Sequence, residues 1–373
     1  MKKTIKIAFD YQIFQEQRFG GVSRYFYELY KEMSSYENCR VYIPVLFSRN
    51  AYLKQIDVCR ELRDFKFNRN RFVNMFFSFI NRLYVRYTIK RQKMDIVHPT
   101  WNHGYLNEEY KDRLVVTIHD MIHEIYWGDT AQKGIERKRK MIYDAKAIIA
   151  VSENTKKDIL KLYPDVSEDK IKVIYHGTNH LPQPTKPVGL RIPSQYILFV
   201  GKRSDYKNAE IVYEAMSSLT ASYPELYLFL VGGGEISGRE WEVLDQLQLR
   251  HRVIQENVND AELAYLYSHA VCFVYPSKYE GFGFPLLEAF DNNCPVVSSN
   301  ASCLPEIGAD GALYFNPDDE AELKGIIERI LEDEELRENC VIRGRERIKA
   351  FSWEKSARET FEVYREVMDG IGI

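Results

Sequence analysis

The chain is predicted to fold as two α/β domains, each a doubly wound, Rossmann-like parallel sheet, facing one another across a central cleft. Three observations predict this. Apolar runs of four to eight residues alternate with helical stretches, the pattern of buried strands covered by helices. The alternation pauses at Leu181-Pro182-Gln183-Pro184-Thr185-Lys186-Pro187-Val188-Gly189, where three prolines in nine residues suit a linker, and then restarts. A length of 373 residues also exceeds one typical core.

In chain order, strands are expected at Ile5–Phe9, Val41–Phe47, Ile96–His98, Leu114–Ile118, Ala147–Val151 and Ile171–Tyr175. After the linker they are expected at Tyr196–Val200, Leu226–Val231, Arg252–Ile254, Val271–Val274, Val296–Ser298 and Ala312–Phe315. Near the end, Trp353, Ala357, Phe361, Tyr364 and Met368 recur at helical spacing, an amphipathic helix. There is no internal repeat and no low-complexity tract.

Composition excludes several classes. No run of about 18 apolar residues exists, so no membrane-spanning helix is expected. The start, Met1-Lys2-Lys3-Thr4-Ile5, lacks a long apolar region and a small-residue cleavage site, and reads as a first strand rather than a signal peptide. Six scattered cysteines (Cys39, Cys59, Cys272, Cys294, Cys303, Cys340) form no C-x-x-C pair, so reduced, core-filling thiols in the cytoplasm are expected. The net charge of −3 conceals a split: residues 1–180 carry 32 Lys and Arg against 22 Asp and Glu, and residues 181–373 carry 19 against 32. Only the first half is suited to an anionic surface or substrate, unless the blocks are merely solvated faces.

The most informative stretch is Tyr279-Glu280-Gly281-Phe282-Gly283-Phe284-Pro285-Leu286-Leu287-Glu288-Ala289-Phe290. A buried strand leads into it, and a helix starts near Pro285, a proline being harmless at a first helical position. Glu280 then lies in the loop and Glu288 about a turn into the helix. The glycines permit close backbone approach, and the helix start favours an anion. Two carboxylates for hydroxyls, with a phosphate-friendly helix tip between them, match a nucleotide-sugar.

This stretch resembles the E-x7-E motif of the retaining family 4 glycosyltransferases, whose fold is GT-B. The resemblance implies that Glu280 contacts hydroxyls of the transferred sugar, that Glu288 holds the ribose diol, and that Gly283, Phe284 and Leu286 also bind the donor. It implies an N-terminal acceptor domain over residues 1–182, with a last helix from about 354 to 373 packing back onto it. A nucleotide-sugar domain is implied over 190–353. The region Glu256-Asn257-Val258 matches where the family reads the base, by backbone at Val258.

Other motifs take their places beside it. Phe19-Gly20-Gly21-Val22 opens a helix to Met33. A double glycine is more often just a turn, but the family's matching loop, here Gly20 and Gly21, lies by the donor diphosphate and acceptor. It is not G-x-G-x-x-G, and no acid near position 40 would bind a dinucleotide ribose, which argues against a dehydrogenase. Gly201-Lys202-Arg203-Ser204-Asp205-Tyr206-Lys207-Asn208 follows a strand, so Arg203 and Lys207 could reach one diphosphate. In the resembled enzymes the matching pair neutralises the leaving nucleoside diphosphate. No D-x-D is present to hold a divalent ion, so neither metal nor other cofactor is expected. His119 and Asp120 end the strand Val116-Thr117-Ile118, where open sheets place ligands. The family commonly contacts the transferred sugar there. His98-Pro99-Thr100-Trp101-Asn102-His103-Gly104 could offer Trp101 and Asn102 to an acceptor, or be a packed loop. Tyr175-His176-Gly177-Thr178-Asn179 resembles the family's N-G-V-D hinge but departs from it. Leu230-Val231-Gly232-Gly233-Gly234-Glu235 ends a strand, its glycines allowing close ligand approach.

Residues 60–93 hold ten Lys and Arg against Glu61 and Asp64, interleaved with Phe65, Phe67, Phe72, Phe76, Phe77, Phe79, Tyr84 and Tyr87. This suits a segment lying on anionic lipid. It also suits an ordinary helix with a core face. No RNA-module motif supports nucleic acid. The combined expectation is a metal-independent hexosyltransferase using a nucleoside-diphosphate sugar, GDP-mannose ahead of UDP-sugars. Its acceptor would be a glycan, lipid-linked, at the cytoplasmic face of the membrane. A glycogen-synthase-like or phosphorylase-like enzyme, or a non-catalytic nucleotide-sugar binder, is the alternative. Phosphate dependence would reveal a phosphorylase, and absence of transfer a binder.

Overall fold

Parallel strands form two separate sheet systems in the computed structural model, which describes residues 3–56, 63–64, 71–178, 180–203 and 205–370. One unit comprises the chain up to Gly177 together with Ser352 onward, and the other runs from Thr178 to Phe351.

In the first unit, β1 (Ile5–Phe9) lies between β2 (Cys39–Tyr42) and, on its other side, a strand at Ile96–His98. A short pair, β3 (Phe47–Ser48) and β4 (Arg63–Asp64), stands apart, so Ile96–His98 is β5. Val97 of β5 bridges Leu114, and there begins a second set: β6 (Val115–Ile118), β7 (Ala147–Ala150) and β8 (Ile171–Val173). All pairings are parallel, and the spatial order is β2-β1-β5-β6-β7-β8. The expected strand Val41–Phe47 is not continuous. Pro44 cannot donate to a ladder, Val45 N–H turns back to Ile43 O at 2.9 Å, and the strand ends at Tyr42.

The helix Gly21–Met33 buries Tyr25, Phe26, Leu29, Tyr30 and Met33, a stripe at three- and four-residue spacing. Against it packs the terminal helix Trp353–Asp369, capped by Ser352 accepting from Lys355 N–H, a contact of about 1 kcal/mol. Its buried stripe runs Trp353, Ala357, Tyr364 and Met368, while Phe361 is half-buried against Tyr36. Tyr364 OH meets His98 Nδ1 at 2.6 Å, His98 Nε2 meets Thr117 Oγ1 at 3.0 Å, and Tyr25 OH shares that hydroxyl at 3.0 Å. His98 is therefore a satisfied core histidine.

The second unit is a six-stranded parallel sheet. Its strands are β9 (Gln195–Val200), β10 (Leu226–Val231), β11 (Val253–Glu256), β12 (Cys272–Tyr275), β13 (Val296–Ser299) and β14 (Ala312–Phe315). Their spatial order is β11-β10-β9-β12-β13-β14. Of the inner strands, β12 and β13 are buried throughout and β9 and β10 over most of their length, as a sheet covered on both faces requires. The chain winds outward from β9 in one direction and then from β12 in the other, so β9 and β12 flank the point where strand order reverses. In open α/β sheets, ligands bind at the carboxyl edge of such a point. The five described cysteines are buried free thiols; Cys59 lies outside the described residues. No described helix is long and apolar enough to cross a membrane.

Candidate functional site

The loops leaving β9 and β12 diverge at the strand reversal of the second unit, and they carry Lys207 and Glu280. Lys278 N–H donates to Tyr206 O at 2.7 Å, and Asn208 Nδ2 donates to Pro276 O at 3.2 Å, lacing the two loops together. The Lys207 ammonium reaches Glu280 Oε1 at 2.5 Å and lies 5.8 Å from the Tyr275 ring centre. Glu280 is 8% exposed, and its own N–H donates to Ser302 Oγ at 2.9 Å. The Cys303 thiol donates toward the Glu280 and Phe282 carbonyls. A carboxylate this enclosed needs its cation. Burial pushes the Tyr275 phenol up, and the adjacent Glu280 adds to the rise.

Gly283 has φ 103°, the left-handed region that an L side chain rarely adopts, and begins the helix Phe284–Asp291 with Pro285 in its first turn. Glycine at this N-cap has no side chain to close the helix start. Leu286 N–H returns to Gly283 O at 3.1 Å. Glu288 is half-buried one turn on; burial, with the Glu288 carboxylate beside it, raises the Tyr267 phenol. Val258 is half-buried, just beyond β11.

Arg203, the other cation that the sequence offers to a diphosphate, lines a cavity of about 700 Å³ together with Lys202, Asn208 and Gly233. Its guanidinium, 8% exposed, turns into the loop after β10, donating to Gly232 O at 2.8 Å, Gly234 O at 3.0 Å and Glu235 O at 3.1 Å. Its Nε donates to Glu240 Oε1 at 2.8 Å. Burial alone would raise the Glu240 carboxyl, but the Arg203 guanidinium overrides it and holds it below the usual range. The loop needs this support: Gly232, Gly233 and Gly234 all have φ between 73° and 83°. Spacing could not reveal the partner, because Glu240 lies 37 residues on and also closes the capping box of its own helix with Ser237. Ser204, between the two basic residues, lies outside the described residues, as does Asn179 of the proposed hinge.

In the first unit, His119 and Asp120 follow β6. The His119 ring stacks on His176, centres 5.5 Å apart, and the Tyr25 ring abuts both. Burial lowers His119 to about 4, so its ring is neutral at physiological pH. Its Nε2 is buried without a hydrogen-bond partner among the described residues. A small cavity there is also lined by Trp101, Asn102 and Lys138. Asp120 shapes its own turn, accepting from Ile122 N–H at 3.1 Å. Lys138, which sequence reasoning missed, is buried, donating to Asp120 O at 3.0 Å and to Glu124 at 2.8 Å. At Gly20 and Gly21, Gln17 Oε1 already accepts from Ser23 N–H at 3.1 Å, occupying one donor of the helix start.

The buried histidines set a pH dependence. Burial lowers His98 to about 3 and His176 well below its ordinary value, as it lowers His119. Below about pH 6.5 the unfolded chain takes up protons that the native state refuses. Stability therefore falls with falling pH, by roughly 1.4 kcal/mol per unit for each histidine. Urea midpoints at pH 7 and pH 5 check this, and the slope is shallower in His98→Asn.

The model of "Glycosyltransferase Family 4" matches residues 19–180, and that of "Glycosyl transferases group 1" matches 185–347. The Escherichia coli O-antigen chain mannosyltransferase B is 30% identical over 273 residues, 68% of this chain and 70% of that protein. The sucrose-phosphate synthase of Thermosynechococcus elongatus superposes with a TM-score of 0.72 at 19% identity, covering 99% of this chain and 100% of that one. The Anabaena protein HepE, in complex with UDP and glucose, superposes with a TM-score of 0.72 at 16% identity, covering 96% and 98%. Two parallel-sheet units, the strand reversal at Lys207 and Glu280, and these matches agree: the chain belongs to the group 1 glycosyltransferases of family 4 and has the GT-B fold.

Proposed function

We propose that the chain transfers a hexose, with retention of anomeric configuration and without a metal ion, from a nucleoside-diphosphate sugar to a glycan acceptor. The donor is GDP-mannose in preference to a UDP-sugar, and the acceptor is lipid-linked. The observation that carries this reading is the Lys207–Glu280 pair at the strand reversal, beside the helix start at Gly283. The mannosyltransferase relative supports the sugar, and HepE, with UDP and glucose bound, supports the donor class.

The acceptor oxygen bonds to the anomeric carbon as the bond from that carbon to the phosphate oxygen breaks. The acceptor proton passes to the departing phosphate oxygen. Lys207 and the helix start stabilise the diphosphate charge, the main electrostatic task. Glu280 orients the sugar hydroxyls and Glu288 holds the ribose. His119, neutral, offers Nε2 to a sugar hydroxyl. Arg203 acts through the glycine loop it braces. The helix Arg71–Gln92 of the first unit supplies peripheral contact with anionic lipid on the cytoplasmic face; Phe65, Lys66 and Phe67 of that basic stretch lie outside the described residues.

A donor panel tests the reading. With chelator present, GDP-mannose raises the melting temperature more than UDP-glucose, UDP-N-acetylglucosamine or ADP-glucose, and its labelled sugar reaches a lipid-linked glycan in α linkage. Activity that vanishes on chelation and returns with Mg²⁺ or Mn²⁺ contradicts metal independence.

A further inference from the structure

The first unit has its own strand reversal, between β1 and β5, and a cavity of about 690 Å³ opens there. That volume is in the range of small-molecule sites. Its floor is a network of amides. Gln12, 4% exposed, donates to Asp10 and accepts from His103 N–H at 2.9 Å, and Gln15 donates to Ser78 Oγ at 2.7 Å. Three arginines from distant parts of the chain, Arg49, Arg82 and Arg137, line it, with Glu16 as the one acid at its wall among the described residues. Arg49 donates to Glu16 O rather than to its carboxylate, and Arg137 lies 3.3 Å from His103 Nδ1. Arg82 packs over the Tyr105 ring at 5.1 Å. Two polar atoms of the lining, Arg82 Nε and Asn74 Oδ1, are buried with no hydrogen-bond partner among the described residues. Leaving both unmade is unfavourable unless a ligand completes them.

The rim adds a second chemistry. The helix Arg71–Gln92 buries Phe77, Val85 and Ile89 on one face. On the opposite face Phe72, Phe76, Phe79 and Leu83 recur at helical spacing, each more than half exposed. Phe79 of this stripe, and the exposed Met75 beside it, also form part of the cavity wall. Cations beside an amide floor and an apolar track leading away complement an anionic head on a long hydrocarbon chain.

We propose that this cavity and stripe together take the acceptor, an amphiphile whose phosphate sits among Arg49, Arg82 and Arg137 and whose apolar chain lies along Phe79, Phe76 and Phe72. The proposal rests on the transferase reading above and gives its acceptor a place. Carbohydrate attached to the phosphate donates a hydroxyl hydrogen bond to Asn74 Oδ1.

Dodecyl phosphate below its micelle threshold is the probe, measured by calorimetry against dodecyl glucoside, inorganic phosphate and phosphatidylglycerol vesicles. Saturable one-to-one binding of dodecyl phosphate is expected, with dodecyl glucoside at least tenfold weaker. Arg82→Gln and Phe79→Ser each weaken it about tenfold. Both variants keep the donor-induced melting shift of the unaltered chain, which excludes misfolding as the cause. Equal binding of the uncharged glucoside, unchanged affinity in both variants, or attachment to vesicles without one-to-one binding of the monomeric probe overturns the proposal. Were no nucleotide-sugar to bind the unaltered chain, the transferase reading would fail, while dodecyl phosphate binding would still decide the cavity.

Discussion

Glu280→Ala is expected to lower kcat by roughly a hundred- to a thousandfold, the cost of removing one preorganised electrostatic partner from a reacting group. Donor affinity should hardly fall. The substitution releases the Lys207 ammonium, now 2.5 Å from Glu280 Oε1, to face the diphosphate alone. Glu288→Ala should do the reverse. On the proposed roles it removes a charged acceptor for the ribose hydroxyls, weakening donor binding by about tenfold or more while kcat at saturation stays near that of the unaltered chain. Steady-state kinetics with donor titrations separate the two. Equal profiles for both variants would count against the division of roles. Lys207→Ala is the companion case, because it strands a carboxylate that is mostly withdrawn from water, and lost stability should accompany lost turnover.

The second large effect concerns Arg203. Arg203→Ala breaks a pair in which the arginine side chain is 4% exposed and frees three carbonyls of the glycine loop. Breaking a buried pair costs about 3–5 kcal/mol, and the 24% exposure of Glu240 favours the lower end. A unit of this size would melt lower by about 6–12 °C. Glu240→Ala should cost a similar amount, and the double variant little more, since both remove one network. Donor discrimination supplies the deciding readout. If Arg203 braces the loop, nucleoside monophosphate and diphosphate affinities fall together. A loss confined to the diphosphate, with the melting temperature unchanged, would return Arg203 to the phosphate.

These two cases also mark how far the amino-acid sequence carries the reading. Strands such as Ile5–Phe9, Leu226–Val231 and Ala312–Phe315 agree residue for residue with expectation, because strands of a covered parallel sheet are near-continuous apolar runs bounded by turn residues. The helix start at Gly283 and Pro285 was legible for a similar reason: its signals are local. Val41–Phe47 failed where an apolar run concealed Pro44, and hydrophobicity outweighed the missing N–H. Arg203 and Lys207 look alike in sequence, two cations in one loop. Only packing separates them, through Glu240 and Glu280, each more than thirty residues away. Lys138 and the group Arg49, Arg82 and Arg137 were invisible for the same reason, since no periodicity links residues gathered by a sheet's topology.

The central claim is that the strand reversal of the second unit holds the donor. Hydrogen exchange with and without saturating GDP-mannose tests it most directly. Slowed exchange is predicted in peptides covering Gly201–Asn208 and Gly281–Leu287, and its loss at the second of these in Glu288→Ala at the same donor concentration. Protection absent from both segments, or confined to peptides of the first unit, would contradict the account.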